Sequence, residues 1–286
     1  MPYVSARSGL GVGLLWIFVL GAVMLALHLL YGEVVTAAPG KHRLPGYAGH
    51  YLGKDWKRIV LIADVVRFWG LQVAYLIVGG TFLSLLFSPY FGGDPLFYGI
   101  LLFGLVSMVT FFGLRVVDRI GFYVTWLLIG ALLVISGKGF QHFDLQNFIF
   151  STGENLFIPY GIIMVSLSGA AAIPALWDIA RKNIRVFRGA IIVGTLIPII
   201  VTALFAISIV GATGALTSPE AIQGLQNVLG GRVVILGALA GFFAVVTSYF
   251  VIALYLQEVL RYDFLVKRTP AWTFAVGVPL LLFLAG

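Results

Sequence analysis

The residues best placed to do chemistry are small and hydroxyl side chains in the middle of long apolar runs. In the run 156–179 they form one cluster: Ser166, Ser168, Gly169, Ala170, Ala171 and Ala172. Pro174 follows the cluster and has no N–H to donate to the carbonyl of Ala170, while glycine lowers the cost of leaving helical geometry. The spacing predicts a helix break near 166–170, whose freed backbone groups can hold a charged ligand.

The same cluster has a second interpretation. Small residues also let two membrane helices pack closely, and a proline can kink a helix without opening a site. A packing seam and a ligand-binding break are equally compatible with this spacing, so both hypotheses stay open at this point.

Two further groups of polar residues lie inside apolar runs. Thr247 and Ser248 are adjacent hydroxyls that could help hold a monovalent cation, or could bond back to their own helix. Gln72 and Tyr75 are three residues apart and share a helix face, where they could contact a ligand or a neighbouring helix.

Charged and titratable residues within the runs are few. Asp64 and Arg67 are spaced for an i, i+3 ion pair. His28 could relay protons or pack against a neighbour, and Glu33 and Glu258 lie toward run ends, where a carboxylate can reach water. None of these residues is assigned as a proton carrier.

Composition places the chain in a membrane. It has 60% hydrophobic and 10% charged residues among 286, whereas soluble domains have roughly 45–50% and 25%. Its apolar runs do not alternate as β-strands would, which predicts an all-α integral membrane protein. The net charge of +7 comes from residues in short loops, so nucleic acid is not expected as a partner.

Apolar runs between charges predict about eight transmembrane helices. They cover residues 10–35, 59–87, 96–114, 120–136, 156–179, 188–212, 232–260 and 270–286. The longest connections, 36–58 and 137–155, are too short to form domains. A single transmembrane domain over 1–286 is therefore expected.

Basic residues mark one side of the membrane. Fourteen of the eighteen fall in alternate connections, near 36–58, 115–119, 180–188 and 261–268. The positive-inside rule places these loops in the cytoplasm and both termini outside. The opposite loops carry Arg7, Lys138 and Arg232, with Arg67 near a run end.

Enzyme motifs are absent from the sequence. It has no H-E-x-x-H, G-x-S-x-G or P-loop pattern, no histidines at metal spacing and no cysteine. We therefore expect no enzymatic activity and no cofactor. Transport is the function that remains for buried small and hydroxyl residues.

Several segments resemble the hydroxy and aromatic amino acid permeases and their auxin permease relatives, in the amino acid, polyamine and organocation superfamily. The strongest are PYGIIMVSLSGAAAIPALWDIARKN, RGAIIVGTLIPIIVTALFAISIVGATG and GKHRLPGYAGHYLG. The resemblance implies the inverted-repeat fold of the bacterial leucine-sodium symporter. On that mapping the chain holds helices two to nine and the end of helix one, with repeats at about 1–136 and 156–286.

The resemblance also implies roles for individual residues. Ser166, Leu167, Ser168, Gly169 and Ala170 match the break in helix six that meets the substrate's amino and carboxyl groups. Tyr75 resembles a tyrosine of helix three that faces the substrate. Thr247 and Ser248 match the hydroxyls of a sodium site that also needs helix-one carbonyls, which on that mapping are expected to be missing from this sequence.

The expected function is secondary active transport of an amino acid, neutral or aromatic, across the cytoplasmic membrane by alternating access, coupled to Na⁺ or H⁺. The alternatives are a non-transporting membrane scaffold or subunit, and an inactive permease fragment, since sequence is expected to be missing at both ends. A membrane enzyme ranks third. The specific amino acid, the direction of transport and the oligomeric state are left undetermined.

Overall fold

The computed structural model describes most of the chain: residues 1–151, 153, 155–218 and 230–286, with residues 114–116, 118 and 232 described by backbone alone. Glu154, predicted in an external loop, lies outside the described residues. The side chains of Arg115 and Arg232, which were used for the charge asymmetry, also lie outside them.

The described part of the chain is helical and contains no strand. Its helices are α1 Pro2–Ser8, α2 Leu10–Ala37, α3 Leu44–Leu52, α4 Lys54–Phe91, α5 Pro95–Phe112, α6 Leu114–Gln141, α7 Ile158–Leu167, α8 Ile173–Ile179, α9 Ile184–Thr213, α10 Gly231–Glu258 and α11 Arg268–Leu284. Short 3₁₀ turns lie at Leu145–Asn147, Ala170–Ala172 and Gly214–Leu216, and a π-helical turn at Val259–Asp263 follows α10. This confirms the predicted all-α class.

Seven segments of the described chain are long and apolar enough to cross a membrane. An eighth apolar helix, α11, has 17 residues. Each predicted run coincides with helix, but the predicted connection 36–58 is more ordered than expected. The connection contains α3 and the first turn of α4. Helix α4 begins at Lys54, so its charged first turn extends the helix beyond the apolar run that begins at residue 59.

Side-chain caps mark the starts of two helices. The Asp94 carboxylate accepts a hydrogen bond from the N–H of Phe97 at the start of α5. The Asn183 side chain accepts from the N–H groups of Arg185 and Val186 at the start of α9. Both caps satisfy backbone donors that have no partner within the helix.

The contacts divide the chain into two compact units. The first unit comprises Met1–Gly32, Ile129–Ala170 and Ala180–Ala240, and the second comprises Glu33–Leu128, Ala171–Ile179 and Gly241–Gly286. These units combine separate segments of the chain and differ from the predicted repeats at about 1–136 and 156–286, which stay a prediction.

The core of the first unit joins three helices. Ile17, Leu20 and Met24 of α2 pack against residues of α7 and α9, all of them buried: Ile163, Leu167, Ile199, Ala203 and Ala206. Gly21 lies in the same contact, where a Cβ atom would come within 2.8 Å of the Ile199 side chain. The helices α2, α7 and α9 therefore form one packed group.

The main core of the second unit draws on α4, α5, α10 and α11. Its buried members include Leu76, Leu102, Val106, Tyr249, Phe250, Val276 and Phe283. The backbones of α4 and α5 meet at Gly80, where a Cβ atom would lie 2.4 Å from the carbonyl oxygen of Pro95 and 2.9 Å from the N of Gly99. The α4–α5 contact thus depends on glycine.

Candidate functional site

The predicted helix break is confirmed. Helix α7 ends at Leu167, Ser168 adopts an extended conformation with φ −73° and ψ 110°, and a 3₁₀ turn leads into α8. Pro174 is the second residue of α8, where a missing N–H costs no intrahelical hydrogen bond. The interruption leaves carbonyl groups at the end of α7 without α-helical partners.

The break begins two residues later than the predicted segment 166–170. Ser166 and Leu167 are still helical, and the Ser166 hydroxyl donates to the carbonyl of Ile162 at 2.7 Å. Leu167 is buried, whereas Ser168 and Gly169 are exposed. Ser168 and Gly169 are thus the non-helical residues of the break whose surfaces the rest of the chain leaves uncovered.

One face of α2 holds α7 along its whole length. Trp16, Leu20, Met24 and His28 recur every four residues and therefore form one ridge that winds along α2. The indole Nε1 of Trp16 donates to the carbonyl of Leu156 at 2.8 Å, just before α7 begins. At the other end, the N–H of Gly169 donates to His28 Nε2 at 3.1 Å.

His28 connects the break to a third helix. Its Nδ1 lies 2.9 Å from Thr195 Oγ1 of α9, and its side chain is buried. The sequence left a proton relay or simple packing as its roles. Met24, four residues before His28, packs against Ile163 and Leu167 of α7, and this four-residue spacing is the one signal in the sequence that could have placed His28 beside α7.

Tyr75, Ser248 and Thr247 belong to the second unit, whereas residues 166–170 belong to the first. The Tyr75 hydroxyl interacts with the Ser248 side chain. The Thr247 hydroxyl donates back to its own helix, at 2.9 Å from the Phe243 carbonyl. The structure therefore brings Tyr75 and Ser248 together, while Thr247 makes the local bond that its residue type favours.

Gln72, predicted to share a face with Tyr75, is fully buried, and neither side-chain amide atom has a hydrogen-bond partner. The Asp64–Arg67 pair is confirmed, with 3.0 Å between Arg67 Nη2 and Asp64 Oδ1. Asp64 Oδ2 also accepts from the Tyr255 hydroxyl at 2.7 Å. This buried carboxylate links α4 to α10.

A second polar group lies at the end of α10. The Arg43 guanidinium donates through Nε to Glu258 Oε2 at 2.8 Å, and both residues are buried. The expectation that Glu258 reaches water is therefore wrong, because the residue before α3 supplies a cation to it. Burial disfavours the charged guanidinium, but the adjacent Glu258 carboxylate outweighs this and raises the pKa of Arg43.

Asp263 anchors the start of α3 to the π-helical turn. One carboxylate oxygen accepts from the N–H groups of Arg43 and Gly46, each at 3.1 Å, and the other lies 3.0 Å from His42 Nδ1. The Lys57 ammonium also donates to the backbone carbonyl of Asp263. The segment predicted as a cytoplasmic connection is thus fixed to the end of α10 by buried polar contacts.

A cavity of about 150 Å³ lies within the second unit, beside α8. Its lining is mostly apolar and comprises Val117, Ala171, Ala172, Ala175, Leu176, Ile179, Val251, Leu254, Tyr255 and Glu258. Ala171 and Ala172 of the 3₁₀ turn and Ala175 of α8 present only small side chains to this space. No group of three or more metal-ligating His, Asp or Glu side chains occurs in the described part of the chain.

Multiple apolar helices of membrane-spanning length, one of them interrupted between α7 and α8, define a multi-pass membrane protein. Within that class, the chain belongs to the tryptophan/tyrosine permease family, whose model matches residues 1–284. This membership indicates a transporter rather than an enzyme. None of the curated proteins compared with the chain matches it.

Proposed function

We propose that this protein is a secondary active transporter that carries an aromatic amino acid, coupled to a cation, by alternating access. The single observation that carries the proposal is the exposed backbone at Ser168 and Gly169, between α7 and α8. Irregular backbone at membrane depth is tolerated where it lines a cavity, and such breaks bind substrates in transporters. The family description favours an aromatic side chain.

In this proposal residues 166–170 provide the substrate contacts. The carbonyl end of α7 carries the negative end of the helix dipole and suits the substrate's ammonium group. The substrate carboxylate binds backbone N–H groups that follow the break. The role of Tyr75 as a substrate contact stays a prediction from the resemblance, and the fold keeps its proposed assignment to the inverted-repeat transporters.

The coupling ion is proposed to involve Thr247 and Ser248. The hydrogen bond that Thr247 donates to its own helix uses the hydroxyl proton and leaves oxygen lone pairs for an ion. Both Na⁺ and H⁺ remain candidates. The connections near 36–58, 115–119, 180–188 and 261–268 are proposed to face the cytoplasm, and the host bilayer to be the cell membrane.

The substrate site is tested with Ser168→Leu. We expect this variant to insert normally but to lose both uptake and stabilisation by tryptophan or tyrosine in detergent, because its side chain obstructs the break. Gly161→Leu adds bulk on the same helix where a Cβ atom meets nothing within 4 Å, and serves as the control. Normal uptake by Ser168→Leu would rule out the proposed substrate site at the break. If the unmodified protein shows neither uptake nor stabilisation by ligand, the scaffold alternative is favoured.

The ion site is tested with Thr247→Ala, whose uptake should depend differently on Na⁺ or on the proton gradient. Thr81→Ala is the matched control, since the Thr81 hydroxyl also bonds back to its own helix, at 3.0 Å from the Ile77 carbonyl. An unchanged cation dependence in Thr247→Ala would place the ion elsewhere.

A further inference from the structure

His28 lies at one end of the contact between α2 and α7, which run parallel in the first unit. From Trp16 to His28 the chain advances twelve residues along α2, and from Leu156 to Gly169 it advances thirteen along and just beyond α7. At about 1.5 Å per helical residue the path along α2 covers about 18 Å, and α7 alone accounts for about 15 Å of the other path. The two hydrogen bonds therefore fix α7 at both ends to α2, and the second bond falls on the break itself.

The hydrogen bonds of His28 determine its tautomer. The N–H of Gly169 can only donate, so Nε2 must be the unprotonated acceptor. The ring proton is then on Nδ1, which donates to Thr195 Oγ1 at 2.9 Å. Both ring nitrogens of the neutral imidazole are satisfied, and no other ring form accepts from Gly169 in this geometry.

Gly169 follows the end of α7, so its N–H has left the regular hydrogen-bond pattern of the helix. Backbone donors in a membrane span must find partners inside the protein. His28 supplies this partner from another helix. It thereby fixes the orientation of the peptide between Ser168 and Gly169, the two exposed residues of the break.

We propose that His28 is a positioning residue for transport: by accepting the Gly169 N–H at Nε2, it holds the break in the conformation that binds substrate. This role rests on the proposed function of the break. It acts through the backbone, so His28 need not touch the substrate. Its effect should appear in the affinity for substrate rather than in membrane insertion.

Replacements of His28 separate this role from simple packing. Glutamine places its side-chain oxygen about where Nε2 lies and can still accept from Gly169. Asparagine is one bond shorter, matches the position of Nδ1 and can bond only Thr195. Leucine fills the space without any polar atom, and His142→Leu, at an exposed histidine, is the control.

The experiment measures KM and the maximal uptake rate for tryptophan and tyrosine, after checking by size-exclusion chromatography that each variant is inserted and monodisperse. We expect His28→Gln to stay close to the unmodified KM, and His28→Asn and His28→Leu to raise KM about tenfold, the equivalent of one lost hydrogen bond. Equal KM values in the Gln and Asn variants, or a Gln variant as impaired as Leu, would overturn the proposal. The Gln and Asn pair decides the matter even where the Leu variant does not fold.

A second readout does not depend on transport. Hydrogen exchange in the purified protein should be faster across 168–172 in His28→Asn than in His28→Gln, by about tenfold. Equal exchange in the two variants would overturn the positioning role. If exchange differs while the unmodified protein neither transports nor is stabilised by aromatic amino acids, the hydrogen bond is real and the proposed transport function is what fails.

Discussion

Arg43 and Glu258 form an ion pair in the interior of the second unit, with 2.8 Å between Nε and Oε2 and only 2% of the Arg43 surface exposed. The pair joins the residue that precedes α3 to the last residue of α10, although the two are 215 positions apart in the chain. A buried charge whose partner is removed is strongly destabilising.

Glu258→Leu should therefore lower stability by about 3–5 kcal/mol, because it leaves the Arg43 guanidinium buried and unpaired. Thermal unfolding in detergent measures the effect. The double variant Arg43→Met with Glu258→Leu should recover part of the loss, since it removes both charges. Asp55→Asn is the control, because the Asp55–Arg58 pair is exposed and its atoms are 4.0 Å apart. A single variant as stable as the unmodified protein would contradict the importance of this pair.

Gly46→Ala should also destabilise the start of α3. A Cβ atom at Gly46 would lie 1.9 Å from Asp263 Oδ1, so the carboxylate must move and weaken its bonds to the N–H groups of Arg43 and Gly46. We expect a loss of about 1–3 kcal/mol, typical of overpacking a buried contact. Gly70→Ala is matched to it, since a Cβ atom there meets nothing within 4 Å. Equal melting temperatures for the two variants would show that the carboxylate adapts freely.

Tyr47 predicts a pH dependence at high pH. Burial raises its pKa from 10 to about 12, because the phenolate is poorly solvated inside the fold. Its contribution to stability is complete below about pH 10 and is lost as pH rises from there to about 12. Relative to Tyr47→Phe, the unmodified protein should lose about 2–3 kcal/mol over this interval. Parallel stability curves for the two proteins between pH 9 and 12 would contradict the shift.

The proposed sidedness can be tested by thiol labelling without background, since the chain has no cysteine. Lys54 and Gln146 are both exposed, in connections predicted to face opposite sides. A membrane-impermeant maleimide should label Gln146→Cys in intact cells and Lys54→Cys only after permeabilisation. The reverse pattern would invert the topology, and labelling of both in intact cells would show that the charge rule fails here.

The sequence was sufficient for the membrane-spanning helices and for the break, but it did not predict α3. Apolar length predicted the spans, because backbone groups in a bilayer must form their hydrogen bonds within a helix. Gly169 and Pro174 predicted the interruption, because proline cannot donate the helical hydrogen bond and glycine readily leaves helical geometry. The Asp64–Arg67 pair was also predictable, since its spacing within one helix fixes its geometry. Family membership confirmed the resemblance to aromatic amino acid permeases.

Contacts between distant segments could not be predicted in this way. The residues near Glu258 in the sequence do not indicate that Arg43 will neutralise its charge. Those near Asp263 do not identify the N–H groups of Arg43 and Gly46 as its hydrogen-bond donors. His28 is intermediate: its four-residue spacing from Met24 indicates a shared face, but only the fold shows that this face meets Gly169. Polar partners that are distant in the chain depend on tertiary packing, which local sequence patterns do not reveal.

The contact at Gly80 restricts how the sequence can vary. Because the carbonyl oxygen of Pro95 occupies the place where a side chain would begin, any residue other than glycine at this position forces the backbones of α4 and α5 apart. At Gly104, on α5, a Cβ atom meets nothing within 4 Å, so larger residues fit without displacement. An alignment of related chains should therefore keep glycine at position 80 and admit many residue types at position 104.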